Sequence, residues 1–348
     1  MAPTNSEDLA LWAPRAVAIL GCAALIAALL IIVLRPVLER YVLARPNARS
    51  SHKMPTPQGG GIAVIASTVA VTAGASFLLM PATISITAPL VTVLAAVILI
   101  AVVGAMADLH PVAVAPRLLL QTLAVVTMIF ALPAELRVLP VVPWWLERVA
   151  LIVGGLWFVN LVNFMDGLDW MTVAEVVPIS GALAVIGMLG VLPAQEVLVA
   201  LSLCGAMIGF AFFNRPVAKL FLGDVGSLPI GLVLGFLLLL AAGSGGRAAA
   251  ILLPLYYLAD STITLVRRAK NGEQIWQAHR THYYQRATDN GLSVIEVVGR
   301  VFFVNLILAA LALATVLEPS RELDLAAILV GALAVACLLY GFARGRWR

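Results

Sequence analysis

Eleven stretches of the chain are apolar for long enough to cross a bilayer, and short polar segments separate them. A spanning helix needs about 20 apolar residues, with tolerance down to about 17. Windows of that kind lie at approximately 16–35, 61–80, 86–106, 117–133, 148–165, 172–191, 195–213, 226–242, 248–266, 297–317 and 324–343. The window at 117–133 is short, and the one at 148–165 runs directly into an acidic stretch, NFMDGLDW (Asn163–Trp170). The pattern predicts an all-α polytopic membrane protein of about 11 transmembrane helices. The first window has one positive charge before it, Arg15, and no small-x-small cleavage pattern after it. It reads as a retained helix and not as a signal peptide.

Composition strengthens this reading. Of 348 residues, 62% are hydrophobic and 11% charged, where a soluble globular protein carries about 25% charged residues. One soluble core could not bury that much apolar surface, so most of the chain is solvated by lipid. No internal repeat, low-complexity linker or composition break marks a second unit, and residues 1–348 read as one domain. Cys22, Cys204 and Cys337 all lie in apolar runs and read as packing residues.

Charge orients the bundle. With the N-terminus periplasmic, seventeen of the 22 Lys and Arg residues fall on one side, and only Arg15, Arg137, Arg148, Arg247 and Arg321 on the other. The positive-inside rule makes the first side cytoplasmic, together with the C-terminus. The net charge of +4 is then a topology signal that needs no nucleic-acid partner. Trp144 and Trp145 would lie in the outer interfacial belt.

With that topology the unusual polar sequences all fall in cytoplasmic loops, at about 36–60, 107–117, 160–171, 214–226 and 267–296. Asp108, Asp166, Asp169 and Asp224 each sit at a helix end, where an ionised carboxylate facing only lipid is costly. Taken singly, each reads better as a helix cap. Four on one face read as a cation site, because converging carboxylates repel one another unless a cation neutralises them. Oxygen donors, with Asn160 and Asn163 beside the acids, suit Mg²⁺, or Mn²⁺, and disfavour zinc. The fifth loop supplies His279, Arg280 and His282, good partners for phosphate oxygens. Arg267, Arg268 and Lys270 nearby read as ordinary inside charge. Gly59, Gly60 and Gly61 let the backbone approach something closely. Lys53 reads equally as a phosphate contact or as one more inside lysine. Acids for a divalent metal, a basic cluster and a glycine turn suit a diphosphate handled at a membrane surface, with one reactant borne by lipid.

TPQGGG, NLVNFMDGLD, FLGDVGS and HRTHYYQR occur here in one order. In them the chain resembles the polyprenyl-phosphate N-acetylhexosamine-1-phosphate transferases, the MraY/WecA-like glycosyltransferase 4 family, from Lys53 to Gln285. HRTHYYQR and NFMDGLD look nearer the polysaccharide-initiating branch. The resemblance implies transfer of N-acetylhexosamine-1-phosphate from a UDP-sugar to undecaprenyl phosphate, releasing UMP, at a bacterial inner membrane, in assembly of a cell-surface polysaccharide such as O-antigen. Its implied partners are UDP-N-acetylhexosamine, undecaprenyl phosphate and membrane lipids, and a homodimer is compatible with it. It implies Asp108 and Asp166 as catalytic, and Asp224 with Asn163 as Mg²⁺ ligands. Lys53, Asn160, Asp169, His279, Arg280 and His282 would bind substrate, with Asp169 placed to meet uracil.

Two departures stand out. The family's G-x-x-D-D pattern keeps only its second aspartate here, since Ala107 precedes Asp108. A lipid monophosphate with a second pKa of about 6 is largely dianionic at neutral pH, so a base at 107 is dispensable in principle. Trp170 replaces a small residue after DGLD, where it would stack, reshape the sugar pocket or anchor at the interface. Two rivals follow: a weak or inactive homologue that binds lipid or nucleotide, and a secondary transporter. Transporters place their acids near the bilayer midplane, and of the aspartates here only Asp260 lies well inside a window.

Overall fold

A computed structural model describes residues 6–44, 55–79, 87–110, 112–274 and 279–345. Lys53, together with Ser51, His52 and Met54, lies outside the described residues. Helices account for nearly all of the structure: α1 (Ser6–Tyr41), α2 (Gly61–Leu79), α3 (Ala88–Leu109), α4 (Val114–Ala131), α5 (Trp144–Met165), α6 (Met171–Met188) and α7 (Ala194–Ala211). The chain continues through α8 (Asp224–Gly243), α9 (Arg247–Leu252), α10 (Leu255–Lys270), α11 (Tyr283–Asp289), α12 (Val294–Leu317) and α13 (Arg321–Arg344). Two-residue strands, β1 (Leu43–Ala44) and β2 (Thr56–Pro57), pair antiparallel after α1.

Ten of these helices are long and apolar enough to cross a membrane, so the chain is an all-α polytopic membrane protein. In lipid every backbone group must be satisfied within the chain, which is why apolar runs of this length become helices. The ninth window, 248–266, differs from its expected single span. It breaks at Leu253–Pro254 into α9 and α10, because proline lacks the N–H that an unbroken helix would use and its ring clashes with the preceding turn.

Helix α8 is the axis of the bundle. In its apolar window 89% of residues are buried, against 22% for α1 and 28% for α13. Lipid offers little hydrophobic drive for helices to associate, so close contact relies on small residues. On α7, Gly205 and Gly209 face the α1 backbone, where an added Cβ would lie 2.4 Å from the Leu20 carbonyl and 2.3 Å from that of Ala24. At the end of the bundle where α5 begins, the buried Glu147 carboxylate accepts from the N–H groups of Val138 and Leu139 and from Arg137. Arg148 donates to the carbonyls of Pro133, Ala134 and Leu136 and lies over the Trp144 ring. The connection 132–143 is thereby folded onto α5.

Candidate active site

The opposite end of the bundle gathers the polar segments, starting from the first turn of α8. Its N-cap residue, Gly223, has no side chain to satisfy the free N–H groups. Asp108, at the end of α3, does so from another helix. Its Oδ1 accepts from the Asp224 N–H at 2.9 Å and its Oδ2 from the Val225 N–H at 3.0 Å. A carboxylate at a helix N-terminus is favoured both by those bonds and by the helix dipole. The Asp224 side chain is then held from two further helices. Asn163 of α5 donates to Oδ1 at 2.7 Å and also to Ser227 Oγ at 2.8 Å. Arg117 of α4 lies 3.3 Å from Oδ2.

The glycine tract packs against this same turn. The N–H groups of Gly60 and Gly61 donate to the carbonyls of Phe221 and Leu222, and Gly61 lies so close to Gly226 that an added Cβ would be 2.2 Å from its Cα. What the glycines approach is the FLGDVGS segment itself. Gln58 completes the contact, donating to the Asp108 carbonyl at 3.1 Å.

The acidic loop between α5 and α6 lies beside this turn. Asp166 accepts from the Thr172 hydroxyl. Its exposure is intermediate, yet protein surrounds it. Burial pushes its pKa up to about 7, against the Thr172 bond, and the neighbouring Asp224, Asp108 and Asp169 charges add to the rise. Asp169 is buried, with Oδ2 accepting from the Ala218 N–H at 2.9 Å, so it organises the 213–223 connection. Trp170 takes a left-handed conformation (φ 63°). Asn214 accepts from its backbone N–H, and its indole donates to the Ala211 carbonyl at 2.7 Å. Trp170 is thus fixed to the end of α7.

The basic segment is anchored by an acid that the sequence pattern did not single out. Asp260 on α10 is fully buried. Its Oδ1 accepts from the Tyr283 N–H at 2.9 Å and its Oδ2 from the Tyr284 N–H at 3.1 Å, which ties down the start of α11. His282 is also buried, with Nδ1 3.4 Å from Asp260 Oδ1, and its ring stacks between His279 and Tyr284. His279 and Arg280 remain partly exposed. Arg280 pairs with Asp289, and Arg267 donates to the Thr281 carbonyl. The Tyr284 hydroxyl donates to the Phe164 carbonyl at 3.2 Å, which joins the basic segment to the acidic one.

The glycosyl transferase family 4 model matches residues 90–242, from α3 to α8. A probable undecaprenyl-phosphate N-acetylglucosaminyl 1-phosphate transferase of Bacillus subtilis is 26% identical over 310 residues, covering 82% of this chain and 83% of that protein. A decaprenyl-phosphate N-acetylglucosaminephosphotransferase of Mycobacterium tuberculosis is 31% identical over 202 residues, 51% of this chain and 49% of that protein. A phospho-N-acetylmuramoyl-pentapeptide-transferase of Brachyspira hyodysenteriae is 28% identical over 174 residues, 45% and 44% of the two chains. These matches support the polyprenyl-phosphate hexosamine-1-phosphate transferase family as the one this chain is similar to.

Of the residues that the sequence pointed to, the structure of this transferase brings Asp108, Asn163, Asp166 and Asp224 together around the first turn of α8. Asp169 and the His279–His282 segment are tied to the same region. Asn160 is not part of that group, since it bonds Gln121 of α4 at 3.0 Å, one turn deeper. Sequence reasoning missed Arg117, Thr172, Asp260 and Tyr284. Arg117 had been counted as topology charge, and Asp260 was visible only as an acid inside a span, which is itself a functional signal.

Among the described residues no three His, Cys, Asp or Glu side chains form a ready metal cage. Mg²⁺ needs no such cage, because it commonly binds through one or two carboxylates plus phosphate oxygens and water. Asp224 and Asp166 could supply the carboxylates. Arg117 and Asn163 now engage both Asp224 oxygens, so a cation there would have to compete with the Arg117 ion pair.

Proposed function

We propose that this transferase moves N-acetylhexosamine-1-phosphate from a UDP-sugar to undecaprenyl phosphate and releases UMP, as the initiating step of a cell-surface polysaccharide. The observation that carries the reading is the joining of an acidic cluster and a basic segment at one end of a lipid-spanning bundle. Chemistry of this kind depends on positioning and charge neutralisation more than on covalent help from the protein. The similarity to that transferase family supports the reaction class, and the named relatives support a prenyl phosphate and an N-acetylated sugar as the reactants.

In this reading His279 and Arg280, the exposed part of the basic segment, hold the diphosphate. Asp224 and Asp166, with Asn163 beside them, hold Mg²⁺, which when bound would take up charge developing on the diphosphate. Arg117, which pairs with Asp224, would be free to meet a phosphate oxygen if a cation took its place there. Asp169 keeps the 213–223 connection in place at the edge where the nucleoside would lie. An apolar groove lined by Leu151, Gly155, Phe158, Leu239, Pro254 and Leu258 runs between α5, α8 and the α9–α10 break, and it suits a prenyl chain. Ala107 provides no base, and the dianionic lipid phosphate needs none to attack the β-phosphorus.

The reading is tested with purified protein, Mg²⁺, undecaprenyl phosphate and a panel of UDP-sugars, read as UMP release and a radiolabelled lipid product. UDP-N-acetylhexosamines should be consumed, and Asp224→Asn should lose activity by at least about a hundredfold while remaining folded. Absence of UMP release with every sugar, alongside retained nucleotide binding, would favour the binding-only homologue that Ala107 suggests.

A further inference from the structure

We infer that the Tyr284 hydroxyl, seated over Gly167, is a positioning group that sets the distance between the basic His279–His282 segment and the acidic Asp166–Asp169 loop. The inference rests on the reading that both segments meet one substrate, since a diphosphate bound to metal on one side and to His279 and Arg280 on the other would have to span that distance.

Tyr284 is fully buried and held at both ends. Its backbone N–H is gripped by Asp260, and its hydroxyl donates to the Phe164 carbonyl in the last turn of α5. Its ring stacks on His282 with centroids 5.7 Å apart, and His282 stacks on His279 at 4.8 Å. A line of contacts therefore runs from the acidic loop through Tyr284 and His282 to the partly exposed His279. Gly167 makes the arrangement possible. A Cβ there would lie 2.1 Å from the tyrosine oxygen and 3.1 Å from Cζ, so the hydroxyl occupies the space that any other residue's side chain would need. Gly167 is not among the glycines with positive φ. Its backbone would accept alanine, and the main obstacle is the hydroxyl.

That geometry makes a specific prediction about two substitutions in combination. Tyr284→Phe keeps the ring and removes one hydrogen bond, so kcat/KM for UDP-N-acetylglucosamine should fall about threefold to tenfold. Gly167→Ala drives Tyr284 and the basic segment away from the acidic loop, and displacements of about 1 Å at reacting groups cost about a hundredfold. The Gly167→Ala/Tyr284→Phe double variant relieves the 2.1 Å clash and leaves two milder contacts, with the ring Cζ at 3.1 Å and with Gln285 Nε2, the end of a flexible side chain, at 3.2 Å. It should therefore be at least about tenfold more active than Gly167→Ala alone.

The loss should fall on KM for the UDP-sugar, with KM for undecaprenyl phosphate unchanged. A drop in apparent kcat alone, in proportion to the fraction of folded protein, would mean ordinary packing and would overturn the inference. A double variant no better than Gly167→Ala would overturn it as well. Hydrogen exchange of residues 282–289 gives a readout independent of turnover. It should quicken in Gly167→Ala and slow again in the double variant, and unchanged exchange in Gly167→Ala would overturn the inference. If the wild-type protein transfers no sugar phosphate from any UDP-sugar, the functional reading fails, and the exchange data still decide the positioning contact.

Discussion

Asp108→Asn separates two roles for the same carboxylate. In the structure both oxygens of Asp108 are committed to the Asp224 and Val225 N–H groups, so the residue holds the first turn of α8 and with it the Asp224 side chain. Asparagine keeps one acceptor and turns its amide N–H toward the other backbone donor. One hydrogen bond to a charged group is worth about 1.5–3 kcal/mol, and losing a helix cap typically costs about 1 kcal/mol. The opposing effects are relief of the cost of holding a charge among packed helices and relief of repulsion between Asp108 and Asp224, the latter blunted because Arg117 lies 3.3 Å from Asp224. The net expectation is destabilisation of at most about 2 kcal/mol, or a Tm lower by no more than about 4–8 °C on the scale of large domains. Differential scanning fluorimetry on detergent-purified protein, run beside the UMP-release assay, reads both quantities. Lost activity with an unchanged or raised Tm would refute the capping argument and leave Asp108 as a group poised for the chemistry.

Two further expectations concern orientation and metal. In a cysteine-free background, Lys270→Cys should be protected from a membrane-impermeant maleimide in intact cells and Arg321→Cys should label, as the charge distribution requires; labelling of position 270 from outside would reverse the orientation. The Asp166 pKa is pushed up to about 7, chiefly by burial, so below that pH a proton occupies the carboxylate and must leave before metal binds. The Mg²⁺ concentration for half-maximal activity should then rise as pH falls through about 7 and level off above it, and a flat requirement from about pH 5.5 to 8 would remove Asp166 from the metal. The metal-free protein binds more protons folded than unfolded between the ordinary aspartate pKa and about 7, so through that window this group stabilises it more as pH falls.

The spans were legible because lipid leaves the backbone few choices. The window at 61–80 became Gly61–Leu79 and the one at 172–191 became Met171–Met188, since a segment that must satisfy its own N–H and C=O groups has to be helical. The window at 248–266 failed as a single helix because its average apolarity hid Pro254 and the polar inner face of α10, where Tyr256, Asp260, Ser261 and Thr264 are buried. At the site, the acids were legible as costly residues on one face. Their partners were not. The bond from the Asp224 N–H to Asp108 spans 116 positions in sequence, and nothing local says which carboxylate will cap which helix. For the same reason Arg117 could be read only as inside charge until packing placed it on Asp224. The glycine tract was read correctly as a place of close approach, but its partner is the chain itself.

Asp108 and Asp260 solve one physical problem twice. Helices α8 and α11 both begin packed against other helices, with Val225 and Tyr284 buried, where water has little access to their first N–H groups. Local side chains do not meet that need. Gly223 has none to offer, and at the start of α11 the Gln285 side chain accepts from the His282 N–H but leaves those of Tyr283 and Tyr284. In each case a carboxylate from a different helix takes the first two N–H groups of the incoming one, α3 for α8 and α10 for α11. Such a cap in trans satisfies the helix start and also fixes where that start lies relative to the donor helix. Asn163 then ties α5 to α8, and Tyr284 ties α11 to α5. These four contacts form an unbroken chain of polar ties from α3 through α8, α5 and α11 to α10. In lipid, packing of apolar faces gives little preference for one helix arrangement over a slightly shifted one, whereas a buried carboxylate that loses its N–H partners is left uncompensated in a low-dielectric interior. The precision that phosphoryl transfer demands at this end of the bundle therefore comes from directional bonds to charged groups, and the acids are retained at the membrane surface for what they position as well as for what they bind.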